Sequence, residues 1–256
     1  AAHNELGLQA TELVGAQDGD YDGVINELSV GDVTALTLYM AALERPVSTV
    51  ELAEIGIIDL TDVQSADIAA GKHLFATVGC SSCHVPSMTV ANPIFSEPSR
   101  VAGYADILFP DGSNPGSHGL GPETAIEFDM RLDPPNNQVL LKDGGVYHLG
   151  ALETDAKGKG IARWYSDFKR HDMGPALSDP SDPLGVGASV FLTRSLAGVG
   201  STGPWLHDGR ATTLEEAILA HGGEATASRH AYAAMSDADA ARIVSFLESL
   251  ILFSAD

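Results

Sequence analysis

The stretch Cys80-Ser81-Ser82-Cys83-His84 decides how this chain is read. Its two cysteines are the only ones among 256 residues, so no disulfide-rich scaffold is available and their spacing must carry their meaning. Three chemistries use Cys-x-x-Cys. A redox disulfide follows a strand in a βαβ unit, and no such unit precedes Cys80. A zinc site needs two further ligands at finger spacing. The third is covalent haem attachment, for which Cys-x-x-Cys-His is the signature. Two thiols at this spacing reach the two vinyl groups on one porphyrin edge, and the adjoining His84 is set under the iron as proximal ligand. One haem c, bound through Cys80 and Cys83, is therefore the cofactor expected.

Helical patterns flank this centre. Apolar Ile68, Leu74, Phe75 and Val78 predict a helix from Ser65 to about Val78. Ile243, Phe246, Leu247 and Leu250 share one face of a final helix that begins at Ser236. Val30, Val33, Leu36, Leu38, Met40 and Leu43 predict an earlier helix from Asn26 to Pro46, with 47–64 as linker and 1–25 as a polar arm. Thr213-Leu214-Glu215-Glu216 is a capping-box start for a short helix ending near His221. Residues 85–165 are dominated by turn signals such as Asn114-Pro115-Gly116 and Pro134-Pro135-Asn136-Asn137, with one hairpin expected between Val139–Leu141 and Val146–His148. Loops of that length need an organising centre, which a haem would provide.

The run Gly71-Lys72-His73-Leu74-Phe75 resembles the first helix of cytochrome c domains, where a glycine admits close crossing by the last helix and an aromatic packs beside it. That resemblance implies a mainly α, cytochrome c-like haem domain with long irregular loops and an N-terminal helical extension. The domains expected are 1–64, extension and linker, and 65–256, the haem domain with an irregular insertion at about 85–165.

The second axial ligand sets what a haem does. Clusters that offer one are His171-Asp172-Met173-Gly174, Leu206-His207-Asp208-Gly209-Arg210 and His221-Gly222-Gly223-Glu224. The segment Gly203-Pro204-Trp205-Leu206-His207-Asp208-Gly209-Arg210-Ala211-Thr212-Thr213-Leu214-Glu215-Glu216-Ala217-Ile218 resembles the C-terminal haem domain of bacterial di-haem cytochrome c peroxidases. It is most similar to the di-haem oxidoreductase branch of peroxidase or thiol-oxidoreductase-like proteins. Tyr165-Ser166-Asp167 with His171–Gly174, the His221–Ala225 ending and Gly31–Leu43 extend the resemblance over most of the chain. In the peroxidases the position matching His221 holds a methionine ligand, and in other relatives a tyrosine. Histidine here implies bis-histidine coordination by His84 and His221, with Met173 and His171 as alternatives. Gly222-Gly223 would let the backbone turn away close to the porphyrin. His207 reads as a residue bonding a propionate or backbone near the haem. Arg210 or Arg194 could pair a propionate through the guanidinium fork, and surface ion pairing is the competing role for both.

Di-haem relatives carry another attachment motif in a preceding domain, and this chain has one. Three arrangements follow: a mono-haem carrier, the C-terminal piece of a processed or truncated di-haem protein, or a subunit whose partner supplies the other haem. The expected function is single-electron transfer by a bis-His haem, without catalytic residues of its own. The alternative is the electron-transfer half of a di-haem enzyme that reduces peroxide or oxidises a substrate elsewhere. Attachment of haem c occurs on the oxidising side of a membrane, so a periplasmic or extracellular setting is expected.

Charge narrows the partners. Fourteen basic and 35 acidic residues give a net charge of −21, which excludes nucleic acid and anionic lipid and favours a redox partner with a basic face, or a salty habitat. No apolar stretch approaches the roughly 18 residues of a membrane span. Asp18–Asp22 and Asp111–Asn114 gather hard oxygen donors and could hold calcium; neither follows EF-hand spacing, and plain turns are the commoner use of such loops.

Overall fold

The structure, a computed structural model, describes residues 8–14, 18, 21–25, 27–101, 108–121, 123–134, 137–180, 182 and 185–252. The opening residues, Asn26 and part of the Asp18–Asp22 loop lie outside the described residues. Among the described residues no helix is long and apolar enough to cross a membrane.

The mainly α, cytochrome c-like expectation is corrected. The described residues are 34 % helix and 16 % strand, and the strands form several small sheets, which makes a mixed α/β fold. The turn-rich middle does not stay irregular. Its backbone amides and carbonyls need partners and find them in ladders of two to four residues. Such strands are shorter than the window over which alternation can be read, so their signal is drowned by turn residues.

The chain divides into two compact units. The first comprises residues 1–43, 91–137 and 150–160. It contains α1 (Thr11–Val14), α2 (Val30–Ala41), β3 (Ile94–Glu97), β4 (Ile126–Asp129) and β7 (Glu153–Thr154). Strands β3 and β4 pair antiparallel with Phe95 opposite Phe128, their rings stacked at 5.0 Å. Helix α2 begins later than its apolar pattern suggests, because Ser29 and Asp32 form a reciprocal capping box. Val30 and Thr34 are its buried residues, whereas Leu36, Tyr39 and Met40 are exposed.

The second unit comprises residues 44–90, 138–149 and 161–256, and holds Cys80 to His84. Its elements are β1 (Val47–Ser48), α3 (Thr49–Glu54), α4 (Asp62–Thr77), β2 (Met88–Val90), β5 (Gln138–Leu140), β6 (Val146–His148), β8 (Gly160–Ala162, its first residue in the other unit), β9 (Arg170–Asp172), β10 (Val190–Leu192), α5 (Leu214–Ala220), α6 (Thr226–Ala233), α7 (Asp237–Glu248) and β11 (Leu250–Ile251). The expected hairpin forms as β5 on β6, with Val139 opposite Tyr147. The 47–64 segment is structured: Ser48 caps α3, and β1 pairs antiparallel with β11. Helix α4 starts at Asp62 rather than Ser65 because Thr61 and Gln64 make the capping box.

Helices α4 and α7 cross at Gly71. A Cβ at Gly71 would overlap the Arg242 carbonyl and lie 3.0 Å from the Phe246 Cβ, so only glycine permits this approach. Phe75, Tyr165 and Phe246 meet edge to face around the crossing, with centroids 5.3 to 6.5 Å apart. Ile68, Leu214, Tyr232, Ile243 and Leu247 complete the core. A smaller cluster of Val47, Leu52 and Leu149 lies under β1 and β6, beside the Arg45–Glu51–Tyr147 hydrogen-bonded group.

Candidate functional site

Helix α4 ends at Thr77, and the chain passes through one 3-10 turn, Cys80–Ser82. The His84 amide donates to the Cys80 carbonyl at 3.0 Å, which folds Cys80, Cys83 and His84 into a single turn. Both cysteines are free and half-buried. Burial pushes the Cys80 thiol up to about 11. A redox-active dithiol requires the opposite shift, so the environment opposes the disulfide reading. Among the described residues there is no group of three or more His, Cys, Asp or Glu able to hold a metal ion by themselves. At the Asp111 loop, the carboxylate accepts from the Ser113 amide and hydroxyl at 2.9 and 2.6 Å, as a turn does.

The His84 ring packs against Phe75 at 6.3 Å, and its Nδ1 lies 3.0 Å from the Tyr165 carbonyl oxygen. A carbonyl can only accept, so Nδ1 carries the proton and the Nε2 lone pair is left for a ligand. His221, the residue that ends α5, repeats the arrangement. Its Nδ1 is 2.7 Å from the Ala217 carbonyl one turn back, so Nε2 is again the free lone pair. Burial lowers the basicity of both imidazoles, and His221 stands near enough to His84 to depress it further electrostatically. Both are thereby held neutral, the form that ligates iron. Two thiols, two neutral imidazoles with Nε2 available and an aromatic wall fit an attached haem.

Position on α5 is fixed by its first turn. The Thr213 hydroxyl accepts from the Glu216 amide at 3.1 Å, and Glu216 reaches back to the Thr212 and Thr213 amides at 2.7 and 3.1 Å. The glycines after His221 also meet a steric demand of the fold. A Cβ at Gly222 would come 2.8 Å from the Met173 carbonyl, and one at Gly223 would overlap that of Asp172. The pair admits close approach of the strand end Asp172–Gly174.

His171 has both nitrogens occupied. Nδ1 donates to Glu224 at 2.9 Å and Nε2 to Asp167 at 3.0 Å. Glu224 and Asp167 raise its basicity, and an imidazolium with no free lone pair cannot ligate iron. Burial works against ionisation of Asp167, but bonds from the Lys169 amide, His171 and Thr193 outweigh it and hold the carboxyl at about 2. Met173 is half-buried beside Gly222, and its amide donates to the Ser189 carbonyl at 2.8 Å. His207 stacks on Phe191 at 4.7 Å. Arg210 is exposed, pairs with Asp208 at 2.5 Å and donates to the Ala176 carbonyl at 2.8 Å, the surface role weighed against a propionate. Arg194 is exposed.

Sequence reasoning assigned no role to the Tyr165 and Ala217 carbonyls, which carry no side-chain signal, or to Tyr232. The Tyr232 side chain is buried and its hydroxyl has no hydrogen-bond partner among the described residues. Burial, then Glu215 and Cys80, raise its pKa, which sets it electrostatically beside the Cys80–His84 turn.

Residues 145–250 match the model of the family described as "Di-haem oxidoreductase, putative peroxidase". This is the family the sequence resembles, and the match falls in the C-terminal part where the resemblance was densest. It supports a haem-binding redox function of the oxidoreductase class. No curated protein and no solved structure matches the chain.

Proposed function

We propose, with the match of residues 145–250 to the di-haem oxidoreductase family as premise, that this chain is an electron-transfer protein carrying one covalent haem on Cys80 and Cys83 with His84 and His221 as axial ligands. The observation that supports this best is the repeated geometry of the two histidines. Each is half-buried, neutral and oriented by an Nδ1 bond to a backbone carbonyl. Haem attached there supplies a one-electron Fe(III)/Fe(II) couple. The residues of the chain do the rest. The Tyr165 and Ala217 carbonyls fix the imidazole planes and make both nitrogens stronger donors. Two strong protein ligands leave no position for peroxide or oxygen, so electrons pass without bond making. Imidazole donates more strongly than a thioether, which gives a lower potential than a His/Met site. The partner is a redox protein with a basic face, and the setting is the periplasm or the cell exterior, where haem c is attached.

One finding favours a second reading. The matched family is di-haem, whereas two cysteines suffice for one attachment. The chain then acts as the electron-transfer half of a peroxidase or oxidoreductase whose other haem lies on a preceding domain or partner.

Three measurements test the proposal. Haem quantitation should give one per chain. The ferric spectrum should be low-spin. His221→Met should raise the reduction potential and bring in a methionine-type ligand band. An unchanged spectrum in that variant rejects His221 as ligand. Rapid peroxide turnover by the chain alone rejects the closed coordination.

A further inference from the structure

His171 joins the two segments on which the axial histidines depend. Its Nε2–H donates to Asp167, two residues after the Tyr165 carbonyl that orients His84. Its Nδ1–H donates to Glu224, three residues after His221. The other oxygen of Glu224 accepts from the Asp172 amide at 2.9 Å, so the carboxylate is tied twice to β9. Around this link the backbones of Asp172–Gly174 and Gly222–Gly223 pack too closely for any side chain. Asp167 is itself held by the Lys169 amide at 2.9 Å, and the Ser166 hydroxyl beside it donates to the Thr193 carbonyl at 2.7 Å in the core. The anchors on both sides of His171 are thus fixed.

We infer that His171 is a positioning residue for the axial pair, a bolt that holds the Tyr165–Asp167 segment and the His221–Glu224 turn in one register so that both Nε2 atoms point at one iron. The inference rests on the bis-His reading above. It assigns His171 no contact with haem. It also explains why a histidine is needed: the two donors of one rigid imidazolium span two carboxylates on opposite sides, which neither lysine nor an amide reproduces. The physical consequence is slack. With the bolt removed, Asp167 and Glu224 are two carboxylates without their shared cation, and the His221 turn moves relative to His84.

The test uses the haem-loaded protein, comparing wild type, His171→Ala, His171→Gln, Glu224→Gln and His221→Ala. The readouts are ferric spin state at room temperature and the rate at which carbon monoxide binds the reduced protein, which needs an axial position to open. Wild type should be low-spin and slow. Loss of a direct outer partner of a metal ligand weakens ligation by about 10- to 100-fold; His171 acts one link further out, so His171→Ala should gain a high-spin fraction and bind carbon monoxide faster by a smaller factor, up to about 10-fold. His171→Gln, which keeps a donor for one carboxylate, should fall between. Unfolding midpoints recorded alongside separate this from general destabilisation, which lowers the midpoint without changing spin state. If His221→Ala turns high-spin while His171→Ala and Glu224→Gln keep wild-type spectra and rates, the positioning role is overturned and bis-His ligation stands. If His221→Ala leaves the spectrum unchanged, both readings fall. Should His171→Ala not accumulate, Glu224→Gln carries the same expectation and the same rejection.

Discussion

At the residue scale, Tyr232 is the group with an unmet demand. A buried hydroxyl without a partner costs about 1–3 kcal/mol, because water satisfied it in the unfolded chain. Tyr232→Phe should therefore stabilise the haem-free protein by about 1 kcal/mol, measured as a shift in urea midpoint at constant slope. The gain should shrink or reverse with haem attached if the hydroxyl finds its acceptor there. A loss in the haem-free form would mean that the phenol is already satisfied. His171 adds a pH signature whose sign follows from its partners. Its folded pKa is raised by Glu224 and Asp167, so its contribution is full below the ordinary histidine range and is lost as pH rises through the folded value. Asp167 and Glu224 are depressed, so theirs is present above the ordinary carboxylate range and is lost on acidification. The link is strongest between those limits. On passing from mildly acidic to alkaline pH, wild type should lose up to about 1 kcal/mol that His171→Asn does not, a modest figure because the pair is partly exposed. Parallel stability curves for the two proteins above neutral pH would refute it.

At the scale of elements, the α4–α7 crossing is decided by one missing methyl. Alanine at Gly71 would gain about 1 kcal/mol of helix propensity, yet its Cβ meets the backbone carbonyl of Arg242, which cannot swing aside as a side chain can. Overpacking should win, and Gly71→Ala should destabilise by about 3 kcal/mol in chemical denaturation. A neutral or stabilising result would show that the helices cross with more room. At α5, Thr213→Ala removes the cap and should cost about 1 kcal/mol; under the proposed bis-His ligation, His221 at the far end of the same short helix should register the loosening in the haem spectrum. These helices were legible because their information is local and redundant: apolar spacing in α4 and α7, the box in Thr213–Glu216, and a glycine where two backbones touch. Their ends were less so. Thr61 and Gln64 start α4 three residues before the apolar pattern does, and Ser29 starts α2 after Asn26. The strands escaped, since β9 and β10 are three residues each and are paired across a stretch of turns with no alternation to betray them. The site divided along the same line. Of the candidate site, Cys80, Cys83 and His84 sit in one short motif and are singled out by its spacing, and His221 by a resemblance. The carbonyls of Tyr165 and Ala217 and the Asp167–His171–Glu224 link exist only once distant segments meet.

For the whole molecule, the balance of 14 basic against 35 acidic residues turns association into a matter of ionic strength. A net charge of −21 repels anionic partners and draws in cationic ones over distances set by screening, with a Debye length of about 30 Å at 0.01 M salt and about 10 Å at 0.1 M. An electron-transfer complex is brief, so its turnover follows the encounter rate more than the lifetime of the bound state. Steering of this kind is worth about 10- to 1,000-fold in on-rate at low salt. The reduced haem protein, mixed by stopped flow with an oxidised redox protein of positive net charge, should therefore transfer electrons at a second-order rate that falls at least about tenfold between 0.01 M and 0.2 M salt. The same experiment with a partner of negative net charge should show the opposite slope, because screening then removes a repulsion. The sign is the discriminating quantity. A rate independent of salt with both partners would mean that the acidic surface lies away from the docking face and serves solubility in a saline medium. An opposite-signed pair of slopes would place the carboxylates at the encounter surface. In that case the −21 would take part in selecting the redox partner that the proposed electron transfer requires.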